Sequence, residues 1–200
     1  MSSTEISNTW RIFVAIELPA PVRRKLIEHI DRLRSAMPEV RASWSREQNL
    51  HLTLKFLGDI PATNVERLSA AASIATTRVE PFEIVVEGCG AFPPRGQPRV
   101  LWVGIRDPSG QLALLHRTLE DECAIAGFPR EQRPFHPHLT IARIRKPHDS
   151  RHLAAMHQEL GFEPKTVRAS ELAVIRSELR SEGSQHTPIS RHAFSSLQIE

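Results

Sequence analysis

The sequence predicts an α+β fold with largely antiparallel sheets, and three observations carry that expectation. Strand-like and helix-like runs occur in both halves of the chain. The connections between strands are compatible with hairpins. The second half repeats the layout of the first, down to a shared word, His51-Leu52-Thr53-Leu54 and His138-Leu139-Thr140-Ile141.

Trp10 to Leu18 reads as a central strand, with Ile12, Val14 and Ile16 on one face and Phe13 and Ala15 on the other. After Pro19 and Pro21, the spacing of Val22, Leu26, Ile30, Leu33 and Met37 predicts an amphipathic helix that ends before Pro38. A loop with Trp44 leads to a strand over Leu50–Leu57, closed by Gly58-Asp59. A helix over Asn64–Thr77 and a strand over Phe82–Glu87 follow. Gly88–Pro98 reads as a Gly/Pro-rich loop that could join two lobes, and Arg99–Ile105 as a strand.

Asp107-Pro108-Ser109-Gly110 marks a helix entry, and Leu112, Leu115, Leu119 and Cys123 line one helical face. Gly127–Pro137 is a basic loop before the strand His138–Ile144. A helix is expected over Asp149–Leu160, with Gly161 just past its end. Val167–Leu179 and Pro188–Ile199 complete the strands, joined by a polar turn.

With 200 residues, 40% of them hydrophobic, the chain is long enough for a real core. Its apolar stretches are too short to span a bilayer, so no membrane association is expected. Met1–Thr9 is a polar tail without the features of a signal peptide. Cys89 and Cys123 stand in no metal or redox spacing, which makes a reducing cytoplasm the default compartment. The formal charge of +3 suits an anionic ligand such as nucleic acid without identifying it.

The repeated word carries the chemistry. Side chains alternate along a strand, so His51 and Thr53 share a face, as do His138 and Thr140, with aliphatic residues behind them. Each strand then presents an imidazole beside a hydroxyl on a rigid backing. In a chain with 10 histidines a bare His-x-Thr is near chance; the shared Leu and the following aliphatic make the pair specific. Two such histidines suit phosphodiester cleavage without metal or other cofactor. One, neutral, takes a proton from the attacking oxygen, and the other, charged, gives one to the leaving oxygen. The threonine hydroxyls can donate to non-bridging phosphoryl oxygens.

These residues give the chain a family likeness. It resembles the 2H phosphoesterase superfamily, and within it the RNA 2′,3′-cyclic phosphodiesterases, also called 2′-5′ RNA ligases. The likeness rests on Arg11–Ile16, Asn49–Gly58, Arg99–Gly104, Arg133–Arg143 and Ser177-Glu178-Leu179. It implies a single domain over residues 1–200 whose two interleaved α+β lobes are related by a pseudo-twofold. Each lobe would carry helices on its outer face, with the active-site cleft between the lobes. It also implies hydrolysis of an RNA 2′,3′-cyclic phosphate end, tRNA fragments included, to a 2′-phosphate, with reversible 2′-5′ ligation. Nothing in the sequence demands more than a monomer. Carried over, His51 is the proton donor and His138 the acceptor; the near symmetry of the two words leaves that order open in the residues themselves. The family often has a late tyrosine after Ser-x-Leu and a glycine; this chain has no tyrosine, and His186 lies near that place.

Further substrate contacts are expected from Arg130, Arg133 and Arg143 flanking the second word, each weighed against an ordinary surface arginine. Lys55 falls on the His51 face, either approaching phosphate or as a solvated surface lysine, and Phe56 on the Leu52 face, either in the core or stacked on a base. His136-Pro137-His138 has a metal-binding spacing but no accompanying acidic or thiol ligand in sequence, so no metal is expected. His29, His116, His148, His152, His157, His186 and His192 read as surface or structural. Competing readings are a 2H enzyme for a small cyclic phosphate or 2′-5′ linked nucleotide, and a non-catalytic RNA-end binder.

Overall fold

The computed structural model describes residues 8–146, 149–181 and 183–195. Most of the expected tail, the end of the last expected strand, His148 and Glu182 of the polar turn lie outside the described residues. Among the described residues nine strands and four α-helices follow in the order β1 (Thr9–Glu17), α1 (Ala20–Ala36), β2 (Ala42–Trp44), β3 (His51–Pro61), α2 (Val65–Thr76), β4 (Phe82–Phe92), β5 (Val100–Arg106), α3 (Gln111–Ile125), β6 (His138–Ile144), α4 (Ser150–Leu160), β7 (Lys165–Ala169), β8 (Glu171–Arg180) and β9 (Gly183–Ala193). The strands form two antiparallel sheets, β3-β1-β8-β9 and β2-β6-β5-β4-β7, so the fold is α+β as the alternation predicts.

β1 is central in the first sheet, and its two apolar faces have separate partners. Ile12, Val14 and Ile16 enter the main core with the helices. Phe13 and Ala15 face the other way with Ala173 and Ile175 of β8. Helix α2 packs on β8 and β9 and α3 on β3; α4 packs on β4 and α1 on α4. Helix α1 buries the Val22, Leu26, Ile30, Leu33 stripe that predicts it, and also His29.

Four elements differ from expectation. β4 runs on to Phe92 through Gly88, whose φ of +75° accompanies a register shift against β5. Gly88–Phe92 of the Gly/Pro segment is therefore strand, and the rest of it closes a β4–β5 hairpin inside one sheet rather than joining two lobes. The expected strand over 167–179 is two strands in two sheets, with Ser170 as the passage between them. β9 begins at Gly183 and contains Pro188, which is tolerated on an edge strand beside the bulge opposite Val174 and Ile175. The short strand β2, read as loop in sequence, pairs with β6.

The two word-bearing strands lie in different sheets, β3 at the edge of the first and β6 within the second. They approach one another, which brings both words to a single cleft.

Candidate active site

Each word sits on a strand that bulges at the same place. Thr53 pairs with Ala15 and Lys55 with Val14, so Leu54 is an extra residue. Thr140 pairs with Trp102 and Ala142 with Leu101, so Ile141 is extra in the same way. A bulge moves every later side chain to the opposite face. Strict alternation would send Phe56 and Arg143 inward; the bulges turn both outward, and the repeated unit becomes His-x-Thr-x-x-X, with X as Phe56 or Arg143.

That shift corrects the expectation for Lys55. It is buried, 4% exposed, and does not line the cleft. Its ammonium donates to both Glu120 carboxylate oxygens at 2.8 Å and to the Pro129 carbonyl at 2.8 Å. Phe56 takes the outward place instead; it is 53% exposed and lines the cleft. Of the three arginines, only Arg143 reaches the cleft. Arg130 donates to Asp121 and Arg133 to Glu131, both on the surface, so neither stands beside the words. An acid close by in sequence satisfies each of them, and a charge count cannot reveal that.

The cleft has a volume of about 840 Å³ and is lined by His51, Thr53, His138 and Thr140 together. Arg11, Arg46, Arg143 and Arg145 also line it, and no carboxylate does among the described residues. A concave site with one sign of charge concentrates anions. Arg145 is held by a 2.7 Å hydrogen bond from its Nε to the Ser43 hydroxyl, and the Arg11 guanidinium lies 5.0 Å from the Phe56 ring centroid.

The two imidazoles have different surroundings. His138 Nδ1 lies 2.7 Å from the His136 carbonyl oxygen, which can only accept. The proton is therefore on Nδ1, and Nε2 is left free for proton transfer. His136 contributes its backbone, not its ring. The ring of His51 stacks on Phe13, with centroids 4.5 Å apart, and meets the edge of His186 at 5.2 Å. Burial, and then the neighbouring His186, push His51 down to about 3, against a weaker upward pull from a backbone hydrogen bond with Asn49. Without an anion in the cleft, His51 is neutral at physiological pH.

His186 lines the cleft from β9, and its Nδ1 is buried without a hydrogen-bond partner among the described residues. Sequence reading leaves it structural, although its place near the family's late tyrosine is a signal. Phe13 was legible as the second apolar face of β1. Arg11, Arg46, Arg145 and Trp44 line the cleft without a sequence signal strong enough to single them out.

Fold and cleft define a class: a two-sheet α+β protein that sets two imidazole–hydroxyl pairs around one cationic pocket. The chain belongs to the 2′-5′ RNA ligase superfamily, whose family model matches residues 22–180. It is 35% identical over 178 residues to an RNA 2′,3′-cyclic phosphodiesterase of Methanothermobacter thermautotrophicus, covering 88% of this chain and 95% of the relative. It is also 35% identical over 138 residues to an RNA 2′,3′-cyclic phosphodiesterase of Escherichia coli, covering 69% and 74% of the two chains. Among solved structures, TT0787 of Thermus thermophilus superposes with a TM-score of 0.76 at 26% identity, over 93% of this chain and 98% of that one. Escherichia coli LigT complexed with 3′-AMP superposes with a TM-score of 0.72 at 28% identity, over 94% and 100%.

Proposed function

We propose that this protein hydrolyses RNA 2′,3′-cyclic phosphate ends to 2′-phosphates by two-histidine acid/base catalysis, and that it carries out reversible 2′-5′ RNA ligation by the same proton transfers run backwards. The observation that carries this is the pairing of both His-x-Thr words in one arginine-lined cleft. The relatives' activity supports the substrate. His138 Nε2 takes a proton from water as the oxygen attacks phosphorus. His51 gives a proton to the departing 3′ oxygen. Thr53 and Thr140 donate to the non-bridging oxygens, Arg143 balances their charge, and Phe56 offers a face to a base.

The charge of the bound phosphodiester is what makes His51 a proton carrier. At contact distance and an effective dielectric near 20, a unit charge contributes about 4 kcal/mol, enough to offset most of the depression in the empty site. The reversed order, with His51 as base, is favoured by that same depression. A 3′-bridging sulfur substrate separates the two, because a thiolate leaves without an acid. Under our assignment it rescues His51→Ala and not His138→Ala; the opposite pattern reverses the roles.

An RNA end, tRNA fragments included, as partner, a monomer as the working unit and the cytoplasm as compartment belong to the same proposal. Both words come from one chain, and Cys89 and Cys123 are unpaired. Among the described residues no helix is long and apolar enough to cross a membrane. The test is product analysis on an oligonucleotide ending in a 2′,3′-cyclic phosphate, in excess EDTA, beside small cyclic nucleotides. A 2′-phosphate from the oligonucleotide is expected; preference for the small substrates overturns the RNA assignment. Tight binding without product makes the protein an end binder.

A further inference from the structure

Away from the cleft, three metal-ligating side chains converge where α1, α4 and β4 meet. His29, Cys89 and His157 offer donor atoms that all lie within 4.8 Å of one another. No sequence motif links them. Helix packing brings His29 and His157 together, and the bulge at Gly88 lets Cys89 reach the same point. His157 is fully buried and His29 nearly so.

The hydrogen bonds fix how the rings are presented. His157 Nε2 lies 2.9 Å from the Trp102 carbonyl, so Nε2 carries the proton and Nδ1 holds a lone pair. That Nδ1 is 2.9 Å from His29 Nε2. A ring with one nitrogen on a backbone carbonyl and the other aimed at a cluster of donors is how proteins orient metal-bound histidines. A histidine pair alone would already staple α1 to α4, and it needs no thiol.

We propose that His29, Cys89 and His157 form a structural site for a divalent cation of the zinc class, with water as the fourth ligand. Zinc–nitrogen bonds of about 2.0–2.1 Å in a tetrahedron put the two nitrogens about 3.3 Å apart, so the rings separate slightly on binding. The proton on His29 Nε2 moves to Nδ1, which frees a lone pair, and the Cys89 thiol releases its proton to solvent. One proton leaves per cation, and nothing is oxidised or reduced. Burial holds His29 down to about 4 and lowers His157, so both are in the neutral, ligating form at physiological pH. It pushes the Cys89 thiol up to about 11, a cost that the cation's charge offsets. His29 also lines an opening of about 180 Å³ beside Gly161 and Phe162, so one of the three ligands borders open space. Once loaded, the site clamps both helices behind β5, whose Trp102 leans on His138 at 6.4 Å. It stands independently of the proposed catalysis.

The test titrates the metal-stripped full chain with Co²⁺ and Zn²⁺. One equivalent of Co²⁺ is expected to give a near-ultraviolet thiolate charge-transfer band with tetrahedral visible bands, and Zn²⁺ to displace it. At a hundredfold excess over Kd, Zn²⁺ should raise Tm by about 5–10 °C. Cys89→Ser should lose the charge-transfer band and keep hydrolysis, while Cys123→Ser keeps both. In unaltered protein, Zn²⁺ should slow alkylation of Cys89, which tests the site even where a variant folds poorly. No charge-transfer band, a band that survives in Cys89→Ser, or an unchanged alkylation rate would overturn the proposal.

Discussion

Replacing Lys55 with methionine separates a buried ion pair from a phosphate contact. Lys55 and Glu120 are both buried, and the ammonium donates at 2.8 Å to each carboxylate oxygen. Lys55→Met leaves the Glu120 carboxylate with the Glu131 N–H at 3.0 Å and no counter-charge. Breaking one side of such a pair costs about 3–5 kcal/mol, whereas replacing both sides by apolar groups is often neutral. For a chain of this size each kcal/mol lowers Tm by about 2–4 °C, so the single variant should melt about 6–20 °C lower. Lys55→Met with Glu120→Leu should recover most of that loss. A double-mutant cycle followed by reversible urea unfolding should give a coupling above about 2 kcal/mol. The pair also holds Pro129 and Glu131, in the loop that leads to His136 and so to the orientation of His138. We therefore expect lower kcat in the single variant. A normally stable variant with raised KM alone would refute this reasoning and restore Lys55 to the phosphate.

Three further outcomes follow. Arg143→Ala should lower kcat/KM by about 10–150-fold, the worth of one charged hydrogen bond, while Arg130→Ala and Arg133→Ala should change it less than about twofold; equal losses in initial-rate assays would contradict the cleft geometry. Protein stability should fall as the pH drops below about 6.5, because His29 titrates near 4 when folded and near 6.5 when unfolded, so only the unfolded chain takes up protons in that window. By pH 4 that group alone should remove about 3 kcal/mol from the free energy of urea unfolding, and flat stability down to pH 4 would contradict its burial as a neutral ring. Gly90→Ala places a methyl 2.1 Å from the Trp102 ring, which is hemmed by Phe92 and His138, so it should cost stability and kcat together; thermal melts matching the parent would show that the ring has room to yield.

The helices were legible because their apolar stripes are long: α1 and α3 bury the residues whose spacing predicts them. The two words were legible because alternation holds from His51 to Thr53 and from His138 to Thr140. Two residues further on it fails. A bulge is a pairing event between strands, and it leaves no mark in the composition of the strand that carries it. Lys55 and Phe56 were therefore assigned to the wrong faces by the same rule that placed the histidines, whereas Arg143 was expected at the site only from its place beside the second word. The strand over 167–179 illustrates the other limit. It reads as one extended segment, but β7 pairs with β4 while β8 pairs with β1. Periodicity reports that a segment is extended and says nothing about which sheet takes it. His186 was legible only as a residue near the place of the family's late tyrosine, for a related reason: its role depends on β9 lying beside β8, with the ring brought against His51.

The central claim is that two strands from two sheets make one catalytic site. Its most direct test is the single-turnover rate on a 2′,3′-cyclic-phosphate oligonucleotide for the parent, His51→Ala, His138→Ala and the double variant. Groups that act as a unit lose nearly everything when either is removed. Each single variant should lose about 100-fold or more, and the double variant should be little slower than the worse single one. Parent-like turnover in either single variant, or losses that simply multiply, would contradict a shared site.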